Sequence, residues 1–164
     1  MNAEDKHAKD REFFLRVCAG NRAAAEWAYN FFLVCHYWDD RIDNDKTPPS
    51  KDDTNTAFWL SMVSMPTNRF YIDNSAILMS DVTTAILRWH SANKLEISGD
   101  EHDAHIAFGL RVSILAILHK CALLCGGYQH ALEIGPEIER LGLSESLNDY
   151  LSDLKTWNPG HRAK

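Results

Sequence analysis

A chain of 164 residues, 45% hydrophobic and 24% charged, carries enough apolar side chains to bury a core, which excludes a disordered segment and predicts a single domain over residues 1–164. A formal net charge of -6 excludes a basic field that would gather nucleic-acid phosphates or anionic lipid, so neither nucleic acid nor membrane is expected as a partner. The charged start Met1 to His7, and the lack of an apolar run approaching the roughly 18 residues of a membrane span, predict a soluble chain that stays in the cytoplasm.

In chain order, Asn2 is placed to cap a first helix to about Cys18, which Gly20 ends, and Asn21 then caps a long helix through about Asp43. Thr47, Pro48 and Pro49 form a loop. Ser50 and Asp53 have capping-box spacing for a helix that stops before Pro66, and a loop follows to Asp73. A helix from about Ser75 to Asn93 carries Leu78, Val82, Ile86 and Trp89 on one face. Ser98 with Glu101 predicts another capping box, opening a long helix to about Leu124 that Gly126 and Gly127 terminate. Beyond Ile106 only Arg111, Ser113, His119 and Lys120 interrupt its apolar and small residues, as in a helix surrounded by others. The last third reads as short helices broken at Gly135, Pro136 and Gly142, with a polar tail from about Asn158. The predicted fold is therefore an all-α bundle of six or seven helices with two long central ones. Cys18, Cys35, Cys121 and Cys125 form no C-x-x-C pair, although Cys121 and Cys125 share a helix face, and free thiols in a reducing compartment are expected.

The chemically informative stretch runs from His36 to Asp45. At about 100° per residue, Trp27, Phe31, Val34, Trp38 and Ile42 line one side of the helix, while His36, Asp39, Asp40 and Asp43 gather on the other. Such a face is the solvated side of many amphipathic helices. Here, however, three carboxylates meet the negative end of the helix dipole and repel one another at i, i+4 spacing, a cost that a divalent cation would offset. Glu101 and His105 stand one turn apart on a later helix, an arrangement used for ligands in bundle metal sites, although acidic residues in a first turn also serve the dipole and the cap. Asp81 and His90 are lone candidates, better explained by hydrogen bonding and by a helix end. No P-loop, G-x-S-x-G, dinucleotide-binding glycine pattern or zinc spacing is present.

The D-D-x-x-D spacing of Asp39, Asp40 and Asp43 resembles the aspartate-rich motif of class I isoprenoid synthases and, more loosely, the acidic helices of all-α nucleoside triphosphate pyrophosphatases. Both resemblances imply Mg²⁺ held by helix carboxylates on a diphosphate. The chain departs from the synthases in its short length and in Asn148, Asp149 and Ser152, where Thr156 stands in the place of the last carboxylate of their second motif. It departs from the pyrophosphatases in having Glu101, His102, Asp103 and His105 in place of a second acidic pair. Over a longer span, His36 to Asp45 and Ala122 to Ile138 resemble uncharacterised helical proteins of tailed bacteriophages, which implies a phage setting without an activity.

Two functions are thus expected from different classes. In the first, Asp39, Asp40, Asp43 and His36 hold Mg²⁺ or Mn²⁺, and Glu101 and His105 act as catalytic groups on a phosphorylated or diphosphate-containing small molecule. In the alternative, the chain is a non-catalytic phage assembly or virion component, working through protein contacts with a partner or as a homo-oligomer, and its aromatics form interfaces.

Overall fold

The structure, a computed structural model, describes residues 3–43, 49–142 and 145–156, with side chains over 8–42, 49–142 and 145–154. The regular elements are α1 (Ala3–Val17), α2 (Arg22–Asp43), α3 (Lys51–Trp59), a π-helical turn (Leu60–Ser64), α4 (Met65–Thr67), α5 (Arg69–Ile97), α6 (Glu101–Arg111), a 3₁₀ turn (Val112–Ile114), α7 (Leu115–Gly142) and α8 (Leu147–Thr156). Among the described residues there is no strand, and the chain is all-α. It divides into two compact units, Met1–Ser75 with Cys121–Ala131, and Ala76–Lys120 with Leu132–Lys164.

In the first unit, α1 ends as the sequence predicts. Ala19 and Gly20 take positive φ values of 48° and 81°, and the Gly20 N–H donates to the Leu15 carbonyl at 2.9 Å. The Asn21 side chain then accepts from the Ala24 N–H at 3.1 Å and starts α2. The tight turn lays α1 on α2, burying Phe14, Val17 and Cys18 together with Ala24, Trp27, Ala28 and Tyr29. The Trp27 ring stacks on Phe31 at 5.4 Å and on Tyr71 at 5.5 Å, nearly parallel to both.

Ser50 caps α3 with the expected box, its hydroxyl accepting from the Asp53 N–H while the Asp53 carboxylate accepts from the Ser50 N–H. The predicted stop before Pro66 does not occur. The backbone widens into a π turn ahead of the proline, helix resumes over Met65–Thr67, and the break falls at Asn68, whose ψ is 129°. Pro66 has no N–H to donate, and a widened turn accommodates that loss without ending the helix. Asn68 is held there by its side chain, which donates to the Ala23 carbonyl at 3.0 Å and accepts from the Tyr71 N–H. The expected loop from Pro66 to Asp73 therefore shrinks to one residue, and α5 starts at Arg69 and runs to Ile97.

In the second unit, the cap of α6 sits two residues later than predicted. Asp100, not Ser98, accepts from the His102 and Asp103 N–H groups, and Ser98 supports the turn by accepting from the Asp100 N–H. Within α7, Gly127 has φ 78° and ψ -178°, which breaks helical geometry where the glycine pair is expected to end the helix, and the chain reverses there. The segments 115–120 and 132–142 run antiparallel: His119 pairs with Glu139 at 2.7 Å, and a Cβ at Gly142 would lie 2.5 Å from Leu115 Cδ1. Gly135 and Pro136 lie inside this second arm instead of breaking it. The proposed tail from Asn158 lies outside the described residues.

Contrary to the sequence reading, one 18-residue window within Glu101–Leu154 reaches a mean hydropathy of 1.7, apolar enough by length and composition to cross a membrane. Leu115, Ile117, Leu118, Cys121 and Ala122 are buried in the fold, whereas Leu123 and Leu124 are exposed.

Candidate functional site

His36, Asp39 and Asp40 occupy the final turns of α2 in the first unit. His36 and Asp40 are exposed and Asp39 is half-buried, while the Asp43 side chain lies outside the described residues. The aromatic ring of Phe32 lies 4.3 Å from that of His36, so the polar face is covered one turn earlier, where Tyr29 is also buried. The opposite, apolar stripe runs out of partners in the same turns. Trp27 and Phe31 are buried, whereas Trp38 is 51% and Ile42 40% exposed. The end of α2 thus shows solvent both its carboxylates and its hydrophobic side chains. Burial, and then the charge of Asp39, push the Cys35 thiol up to about 12.

Glu101 and His105 stand on the first turns of α6, in the second unit, and both are exposed. Because Asp100 makes the cap, the Glu101 carboxylate is not used in it. Among the described residues, no group of three or more His, Cys, Asp or Glu side chains is placed to hold a metal ion. A shallow recess of about 290 Å³ in the first unit is lined by none of the six expected site residues, and its Arg69 is already paired with Asp73 at 2.9 Å. Of the lone candidates, Asp81 faces Lys120 at 3.6 Å and His90 is exposed beside Trp89. The near miss to a second synthase motif has a structural use, since Asp149 and Ser146 cap α8 reciprocally.

Three features escaped the sequence reading. The first is a buried ionic knot in the second unit. Glu96 accepts from Arg111 Nε at 2.8 Å, from Arg111 Nη2 at 2.5 Å and from the Tyr150 hydroxyl at 2.6 Å, and the guanidinium lies over the Trp89 ring. Burial raises the Tyr150 phenol, and the bond to Glu96 raises it further, so it remains a donor. Arg111 in an otherwise apolar helix was its signal. The second is the electrostatic interaction of Cys18 with Cys121 and Cys125, signalled by half: the i, i+4 pair was legible, its third member was not. The third is the run Phe58, Trp59, Met62 and Val63 along α3 and the π turn, exposed by 68%, 60%, 62% and 37%; Phe58 and Trp59 are among the aromatics expected to form interfaces, and what escaped is their union with Met62 and Val63. Their i, i+1, i+4, i+5 spacing places them on one helix face.

Comparison of the chain with protein families, with curated proteins and with solved structures finds no match in any of the three.

Proposed function

We propose that this chain is a non-catalytic helical component of a protein assembly, which works by presenting apolar helix faces to another chain, in the first instance a second copy of itself. The observation that carries this reading is the outward face of Phe58, Trp59, Met62 and Val63. Single exposed hydrophobics are ordinary, but a contiguous face built from a tryptophan, a phenylalanine and a methionine has the composition of an interface core. The π turn beneath it adds weight, since such turns cluster at functional positions. A virion or assembly role also suits the phage setting that the resemblance implies.

Sedimentation velocity over about 1 to 100 µM tests this, that range spanning the affinities of weak to moderate self-association. The parent is expected to self-associate, and Phe58→Ser with Trp59→Ser to shift it toward monomer with unchanged helix content. A parent that stays monomeric at the top of the range sinks the proposal.

The second reading, a Mg²⁺- or Mn²⁺-dependent phosphohydrolase, draws on the acidic field at the end of α2. Asp39, Asp40 and Asp43 with His36 would hold the ion. It requires that millimolar cation raise the melting temperature at constant ionic strength, and that Asp39→Asn with Asp43→Asn remove the rise. A flat response in both proteins leaves the assembly reading alone.

A further inference from the structure

In the first unit the end of α1 meets α7 at three thiols. Cys18 lies just beyond α1 and is fully buried, Cys121 is buried one turn before Cys125 on α7, and Cys125 is half-buried. The Cys18 thiol lies beside both of the others and interacts with them electrostatically. An independent contact fixes the same approach. The His130 ring nitrogen Nε2 lies 3.0 Å from the carbonyl oxygen of Val17, tying the residue beside Cys18 to the turn that follows Cys125. Gly126 makes room for that ring, since a Cβ there would meet His130 Cδ2 at 2.3 Å. All four cysteines are free thiols, and the three in contact are not arranged to hold a metal ion. What remains open to them is chemistry with one another.

We propose that Cys125 and Cys18 are a redox pair, converted by a peroxide into a disulfide that fastens the end of α1 to α7. Cys125 is the member of the cluster that solvent reaches, so its sulfur attacks the peroxide O–O bond, giving a sulfenic acid and one water. Cys18 Sγ then attacks that sulfur, the S–S bond forms, and the sulfenic oxygen leaves as a second water. Two thiols together give up two electrons and two protons, and the peroxide, reduced to two waters, takes both. Cys121 is the poorer partner for Cys125, because side chains one turn apart on the same helix project nearly in parallel, whereas Cys18 approaches from another element. Interaction with Cys121, with burial, holds the Cys18 thiol above its ordinary range, and interaction with Cys18, with burial, does the same for Cys125. Neutral thiols react slowly, so the latch responds to sustained peroxide and not to a brief pulse.

The test is oxidation of the full chain with hydrogen peroxide, followed by alkylation under denaturing conditions and non-reducing peptide mapping. The parent is expected to fall from four alkylatable thiols to two, to yield a linked Cys18–Cys125 peptide, and to melt at a higher temperature, because the bridge closes about 107 residues of chain (125 minus 18). Cys121→Ser should behave as the parent. Cys125→Ser, at a half-exposed position that tolerates the change, should form no bridge and show no rise in melting temperature, as should Cys18→Ser if it folds. Retention of four thiols in the parent, a bridge that forms equally in Cys125→Ser, or accumulation of Cys125 sulfinic acid in place of the bridge would each overturn the proposal.

Discussion

Removing the carboxylate of Glu96 is the most informative perturbation of stability in this protein. Its side chain is 1% exposed and that of Arg111 16%, so the carboxylate has no water to fall back on and the guanidinium little. Three donors converge on the one carboxylate, two from Arg111 and one from Tyr150. Glu96→Ala leaves a part-buried guanidinium and a part-buried phenol without that acceptor, and breaking a buried pair from one side costs about 3–5 kcal/mol. Against a total stability of roughly 5–15 kcal/mol this is a large fraction, corresponding at about 2–4 °C per kcal/mol to a fall in melting temperature of roughly 6–20 °C. Tyr150→Phe removes one hydrogen bond to a charged group and should cost about 1.5–3 kcal/mol. The decisive comparison is Glu96→Leu with Arg111→Met. Taking away both charges removes the desolvation penalty along with the attraction, so the double variant should be more stable than either single one. Urea unfolding followed by circular dichroism and by tryptophan fluorescence measures all of these. Should Glu96→Ala fall within 1 kcal/mol of the parent, or the two single costs simply add in the double variant, the account of a mutually dependent buried knot is wrong.

Three further perturbations probe the backbone and the acid end of α2. Gly127→Ala puts a side chain at φ 78°, ψ -178°, where nothing lies within 4 Å of the new Cβ, so its expected cost of about 1–3 kcal/mol is pure backbone strain. Gly109→Ala, inside α6 with equally open space and an ordinary φ, should instead stabilise by up to about 1 kcal/mol, and equal effects in urea titrations would refute the backbone argument. For Cys35 the folded thiol is raised from 9.0 to about 12, so the stability this provides is complete below pH 9 and is lost as pH climbs from 9 toward 12. Relative to Cys35→Ala, the parent should lose up to about 1.4 kcal/mol per pH unit across that window in reducing buffer, and a difference that stays flat with pH would mean the thiol is not shielded.

Local signals in the sequence were enough to establish the all-α class and several helix ends, because those ends depend on residues within one turn of each other. Gly20 with Asn21, Ser50 with Asp53, and the reversal at Gly126 and Gly127 are all of this kind: a positive φ or a side chain reaching three residues along the backbone needs no distant partner. The junction at Pro66 was misread, since Asn68 fixes the break through the Ala23 carbonyl, 45 residues away. The cap of α6 moved from Ser98 to Asp100 because both residues offer a suitable oxygen and the turn geometry at Gly99 chose between them. The gathering of Asp39 and Asp40 on one face of α2 was legible from helical period alone, but the period says nothing about which faces find cover. Only tertiary structure decided that Trp27 would be buried while Trp38, three turns on along the same stripe, would stay half in solvent. The same is true of Glu96 with Arg111 and Tyr150, and of Cys18 with Cys125: contacts between side chains 15, 54 and 107 positions apart exist because helices pack, and packing is a property of whole faces that no short window of sequence contains.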